Sequence, residues 1–340
     1  MLWPVYAIYH KAVPNFAEIA SLYQRFAETE AHGRSPLYEQ LALEITGDES
    51  ALEFLSAFPR PKQQPNLLFA AVRYVCGTPK DWEHFRTSLL VSQKTIREVM
   101  MRRRTQTNEP ARCATLLPLL ALLPQPLALL EIGASAGLCL LPDLYGYEYK
   151  QTVHISPTAG VGVVPPTFTC TTNAKTPLPA RNIDVVWRRG LDLEPLQVND
   201  SDDVAWLEAL VWPGEQDRCD RLRQALDVAR RNPPHVRRGD LRSDLTFLAV
   251  EAPPDATLVI FHTAVLAYVL LREERTDLAK AIAHIRARWI SNEAPAFSPC
   301  DDEKAKAECP VGQFLLAENE RAVAYTDPHG RSIHWLVNHD

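Results

Sequence analysis

The sequence predicts an α/β protein, a mostly parallel sheet closed by a terminal antiparallel hairpin and preceded by an all-helical domain. Three observations predict it. Residues 16–123 carry apolar positions at helical spacing with no alternating run. After residue 126, short apolar runs rich in β-branched residues alternate with amphipathic stretches, as crossover connections between parallel strands require. The last 30 or so residues change rhythm again, to strand-like runs separated by turn residues.

In the front part, Phe16, Ile19, Ala20, Tyr23 and Ala27 recur at i, i+3, i+4, i+7 and i+11, one face of a helix. Ser35 followed by Pro36 is a helix start, with Leu37, Leu41, Ala42 and Ile45 as the buried stripe. Pro65 and Asn66 punctuate before a helix through Leu68, Ala71, Val72 and Val75. The expected domains are a helical cap at 1–125 and a sheet domain at 126–340. The strand candidates are 127–132, 183–187, 235–240, 256–261 and 287–291, followed by a hairpin with turns at Asn319-Glu320 and Asp327–Gly330, expected on the sheet edge. Amphipathic helices are expected at 203–210 and 217–230. Residues 150–181, rich in Pro, Gly and Thr, read as an insertion with one hairpin.

Bulk properties narrow the function. A chain of 340 residues with 46% hydrophobic and 23% charged residues is globular, and a net charge of -6 gives no electrostatic reason for binding nucleic acid. Arg102, Arg103 and Arg104 read as a solvated helix end rather than a phosphate site. The apolar start MLWPVYAIYH lacks a basic leader and is too short to span a membrane, so a soluble cytoplasmic protein is expected. Seven dispersed cysteines without a C-x-x-C pair suggest reduced thiols. Cys300 and Cys309 lack histidines in a zinc pattern, so no metal is expected.

The most informative stretch is LALLEIGASAGLCL at 127–140, a buried strand that runs into a small-residue turn and then an apolar run expected to be helical. Two chemistries use that shape. Glu131-x-Gly133-x-x-x-Gly137 resembles the first motif of Rossmann-like S-adenosylmethionine enzymes, and Gly133-x-Ser135-x-Gly137 matches the nucleophile elbow of serine hydrolases. An elbow hydrolase has several strands and an oxyanion loop upstream, whereas here the upstream chain is helical. Ser135 therefore reads as a backbone-approach residue before a nucleophile, with His329 or His339 as conceivable partners in the hydrolase alternative. Glu131 suits the methionine amino end. Asp192, in GLDLEPL after a strand, suits the two ribose hydroxyls, with Glu148 as the alternative because Asp192 lies beyond the usual spacing. Asp240 suits the adenine edge. Pro142 shortens or kinks the helix expected after the turn.

The strings SPLYEQLA, QPNLLFAAVRY, RRTQTNEPARCATLLPLLALLP, LLEIGASAGL, GLDLEPL, WLEALVWPGEQ, VIFHTAVLAY, WISNEAP and DPHGR resemble the bacterial domain of unknown function 2332 family over nearly the whole chain. The resemblance implies a Rossmann-like methyltransferase fold and brings no established reaction.

Parallel sheets bind ligands beyond the carboxyl ends of their strands. His262, directly after 256–261, is the expected catalytic residue, placed to take a proton from a methyl acceptor; the alternative is an imidazole satisfied by a backbone carbonyl. Asn292 and Glu293 either hold substrate or cap a helix. Asn108, Glu109 and Arg112, in the polar string that begins at Thr105, Gln106 and Thr107, either begin a helix at Pro110 or belong to a lid over the substrate, joined by Gln64 and Asn66. The expected activity is S-adenosylmethionine-dependent methyl transfer to a small molecule, with no nucleic-acid or membrane partner. A regulatory protein that binds S-adenosylmethionine or a nucleotide without catalysis is the competing class.

Overall fold

The structure is a computed structural model that describes residues 15–106, 108–150, 152–158, 161–269 and 272–336. The stretch 1–10, Thr107 and His339, to which expectations attach, lie outside the described residues. Backbone contacts divide the chain into two compact units, 1–106 with 205–219, and 107–204 with 220–340.

The first unit is helical: α1 (Phe16–Phe26), α2 (Pro36–Ile45), α3 (Glu49–Ser56), α4 (Pro65–Cys76), α5 (Trp82–Val91) and α6 (Gln93–Arg102). The sequence stripes explain these elements. Ile19, Tyr23 and Phe26 are the buried face of α1, and Leu41, Ala42 and Ile45 that of α2. Ser35 caps α2 by accepting from the Tyr38 amide, with Pro36 in the first turn, where a missing N–H costs nothing. Asp48 caps α3 through the Ala51 amide at 2.8 Å. Phe69 of α4 sits among the rings of Tyr23, Phe26, Tyr38 and Phe85. Arg73 closes this unit by donating to the carbonyls of Ala209 and Val211.

The second unit begins with α7 (Cys113–Leu120) and holds one sheet of eleven strands. These are β1 (Leu127–Ile132), β2 (Gly146–Tyr149), β3 (Val153–Ile155), β4 (Thr167–Thr172), β5 (Val185–Asp192), β6 (Val236–Arg238), β7 (Thr257–Thr263), β8 (Arg288–Glu293), β9 (Phe314–Glu318), β10 (Arg321–Thr326) and β11 (Ser332–Trp335). Of the later helices, α8 (Ser201–Leu210) and α9 (Gln216–Arg231) each run across a boundary between the units, and α10 (Leu245–Ala249), α11 (Arg272–Ala283) and α12 (Glu303–Glu308) belong to the second. The sheet order is β3-β2-β4-β11-β10-β9-β8-β7-β1-β5-β6. Within it, β6-β5-β1-β7-β8 are mutually parallel. All six residues of β1 are buried, as a central parallel strand covered on both faces demands. Chain order reverses between β1 and its two neighbours, the point where open α/β sheets leave a crevice. Leu245 and Leu248 of α10 and Leu278 and Ile282 of α11 pack with Leu130, Ile260 and Trp289 in one apolar cluster.

Two expectations are corrected. The terminal antiparallel strands β9, β10 and β11 do not form an edge, because β11 pairs in parallel with β4 and the sheet continues through β2 and β3. The insertion therefore extends the sheet. No α-helix follows β1 either: the apolar run folds as two short 3-10 turns, Leu138–Leu140 and Pro142–Leu144. Pro142 has no N–H to continue a helix. Asp143 in the second turn is instead anchored by a bidentate pair with Arg188 of β5, at 2.8 and 2.9 Å.

Among the described residues, no helix is long and apolar enough to cross a membrane. None of the seven cysteines, all of them among the described residues, forms a disulfide.

Candidate functional site

The bend after β1 runs through left-handed backbone at Gly133, Ser135 and Gly137, with φ of 69°, 52° and 73°. Three flanking segments hold it. From β5, the Leu191 carbonyl accepts from the Gly133 amide at 2.8 Å, and the Asp192 carboxylate accepts from the Ser135 amide at 2.8 Å. The other Asp192 oxygen accepts from the Glu194 amide at 2.8 Å. Upstream of α7, Asn108 clasps the bend with both ends of its amide, donating to the Ala134 carbonyl at 2.8 Å and accepting from the Leu138 amide at 3.0 Å. From the loop after β7, Val265 lies over Gly133, so that a Cβ there would stand 2.5 Å from a Val265 methyl. The space beside Gly137 is filled by Pro234 and Val236.

Glu131 is the chemically unusual residue. It is 2% exposed, and among the described residues its Oε2 has no hydrogen-bond partner. Burial pushes its carboxyl well above the ordinary glutamate range; Cys139 and Asp192 push the same way, and the Arg112 guanidinium opposes them. Ser135 Oγ is also buried, and among the described residues no imidazole or other group bonds to it to activate it as a nucleophile. Beneath the bend, the Cys139 thiol meets the Glu109 carbonyl and the Cys113 thiol meets the Cys139 carbonyl. Contact with Cys113, then burial, pushes the Cys139 thiol well above its usual value, which makes it an inert packing group.

Glu109 and Arg112 join this network without facing an open space. Glu109 caps the turn Pro110–Arg112 by accepting from the Ala111 amide, the helix-start alternative of the sequence reading, and its other oxygen lies 3.4 Å from His329. Arg112 is buried and donates to the Pro328 carbonyl at 2.8 Å and to the carbonyl and hydroxyl of Thr263 at 3.2 Å.

A second cluster stands at the ends of β7 and β8. His262 is fully buried. Its Nδ1 is 2.7 Å from Glu293 Oε1, and the Trp289 indole donates to its Nε2 at 3.1 Å. Because an indole N–H only donates, Nε2 must accept and Nδ1 must carry the proton that goes to Glu293. No lone pair is left for a methyl acceptor, which corrects the expectation of a proton-taking His262. Glu293 also receives the amides of Val265 at 2.9 Å and Leu266 at 3.3 Å, and so sets the loop that covers Gly133. Asn292 accepts from Thr326 at 2.7 Å, and its buried Nδ2 has no partner.

Of the remaining candidates, Asp240 follows β6 and is engaged by Arg242 through main chain and guanidinium, which holds its carboxyl below the usual range. Glu148 lies on β2, separated from β1 in sheet order by β4, β11, β10, β9, β8 and β7, whereas Asp192 is on the strand beside β1. Gln64, Thr105 and Asn66 make contacts inside the first unit, Gln64 with Thr105 and Asn66 with Trp212. The structure thus gathers Asn108, Glu109, Arg112, Glu131, Ser135 and Asp192 around one bend, and His262, Asn292 and Glu293 around a neighbouring loop.

Sequence reasoning missed Trp289, Thr263 and Val265. Only the run of small and β-branched residues in HTAVL, across the end of β7 and the loop after it, hinted at a close-packed loop.

A family model described as "Uncharacterized protein conserved in bacteria (DUF2332)" matches residues 20–335. The chain belongs to that family. The match begins within α1 and ends with β11, so it spans nearly all of the helical unit, the bend, both clusters and the terminal strands. No curated protein matches the chain, and no solved structure does.

Proposed function

We propose that this DUF2332 protein binds S-adenosylmethionine at the carboxyl ends of β1 and β5 and directs its methyl group to a small molecule, on a Rossmann-like methyltransferase sheet. One observation carries the proposal: a carboxylate at the topological switch point of the sheet is buried and has an oxygen without a donor. A buried acid in that state is stabilised by an ammonium group, and the ligand's methionine end brings one. Asp192 fits the ribose by its place, on the strand beside β1 with its carboxylate at the bend. The space at Gly133 does not fit as it stands, and entry requires Val265 to withdraw. When bound, the sulfonium would supply a methyl group for a single displacement, and the chain's own task would be to hold donor and acceptor in line. His262 acts as a positioning residue, fixing through Glu293 the loop that carries Val265.

Titration calorimetry of the full chain with S-adenosylmethionine tests this. Wild type is expected to bind, and Glu131→Gln to bind at least ~10-fold more weakly, the loss of one charge-assisted contact. Absence of heat and of any thermal shift with wild type overturns the proposal.

A second reading, ligand binding without turnover, is favoured by the two engaged nitrogens of His262. It predicts binding with no methylated product from a mixture of cell metabolites.

A further inference from the structure

Away from the bend, α11, the segment after β8 and α12 line a cavity of about 780 Å3, within the ~300–1,000 Å3 range of small-molecule sites. Leu266, Ala279, Pro295 and Phe297 give it apolar walls. Four charged residues face it, and they are not equivalent. Lys306 is neutralised by Glu303 at 2.8 Å, and Glu320 stands exposed at the β9–β10 turn. Arg275 is half-buried, donates one N–H to the Val269 carbonyl and lies 5.8 Å from the Phe297 ring centroid. Among the described residues no carboxylate pairs with it. A guanidinium has five N–H donors in a planar fork that matches a carboxylate.

We infer that this cavity binds a small amphipathic monoanion, an aryl or alkyl carboxylate whose charged end meets Arg275 and whose hydrocarbon body lies on Phe297, Leu266 and Pro295. A single carboxylate balances the one unpaired cation. A phosphate dianion would also face Glu303 and Glu320, which disfavours it. Leu266 adjoins Val265, so cavity and bend share a loop, yet no residue of the bend lines the cavity. The inference therefore stands apart from the S-adenosylmethionine reading.

The test uses the full chain with 4-phenylbutyrate, its neutral amide 4-phenylbutanamide, 4-phenylbutylamine and 3-phenylpropyl phosphate, followed by calorimetry and ligand-observed NMR. The carboxylate is expected to bind at least ~10-fold more tightly than the amide, and the amine not at all. Arg275→Met abolishes the preference for the carboxylate, Arg275→Lys retains part of it, and Phe297→Ala weakens carboxylate and amide alike. Equal binding of carboxylate and amide, tighter binding of the phosphate, an unchanged preference in Arg275→Met, or no binding by any probe overturns the inference. None of these readouts involves S-adenosylmethionine, so each proposal fails or survives by itself.

Discussion

Glu131 and Glu293 stand at the carboxyl ends of two parallel strands, at 2% and 1% exposure, and differ in what meets their oxygens. Glu293 receives His262 and two main-chain amides, so the fold itself satisfies it. Glu131 Oε2 receives nothing. The same side chain in the same kind of place is a structural rivet in one case and, in the other, a group that the described residues leave unmet at one oxygen, the one that the proposed ligand would meet.

Removing the rivet has the largest expected effect on stability. Glu293→Leu leaves three donors unpaired, two of them buried, which costs at least about 2 kcal/mol and lowers the urea midpoint accordingly. An unchanged midpoint would show that water satisfies those donors, and the contrast between the two acids would dissolve.

Next comes the contact that links the two clusters. Gly133→Ala places a Cβ against Val265 on left-handed backbone, at a cost of about 1–3 kcal/mol. Adding Val265→Ala recovers the steric part and leaves the backbone part. Full additivity of the two losses would mean that Val265 does not cover the bend.

The smallest effect sharpens the comparison by its sign. Burial keeps the folded Glu131 carboxyl protonated at pH values where the unfolded chain has ionised, above about 4.3. In that interval the folded state binds more protons, so stability falls as pH rises. Glu131→Gln removes that loss: the variant should match wild type in denaturant melts near pH 4 and exceed it at pH 7. A variant less stable than wild type at pH 7 would mean that the carboxylate is ionised and already satisfied.

Local signals in the sequence carried much of this architecture. The stripe of α1 and the Ser35-Pro36 start of α2 rest on neighbouring residues alone, and the short runs that overlap β1, β5, β6, β7 and β8 are set off by the amphipathic stretches between them, although 183–187 reaches only the first three residues of β5. The failures lie where distant segments decide. Leu138, Leu140 and Leu141 are as compatible with a helix as with the turns they form, and the Arg188 pair with Asp143 that fixes those turns spans 45 residues of chain. The place of β9, β10 and β11 inside the sheet depends on β4, from a segment with no clear periodicity. Glu131 and Asp192 are legible as acids near strand ends, and Asn108 as one of a polar string between helices. That Asn108 is spent on the bend, and that Trp289 takes the second nitrogen of His262, follows only from tertiary packing.

Proton counting tests the central claim most directly. S-adenosylmethionine is titrated into the wild-type chain near pH 7 in buffers of differing ionisation heat. If the acid in β1 is protonated when free and ionises against the ligand's ammonium group, binding releases about one proton, and Glu131→Gln releases none. Binding with no proton release by the wild type would contradict the account.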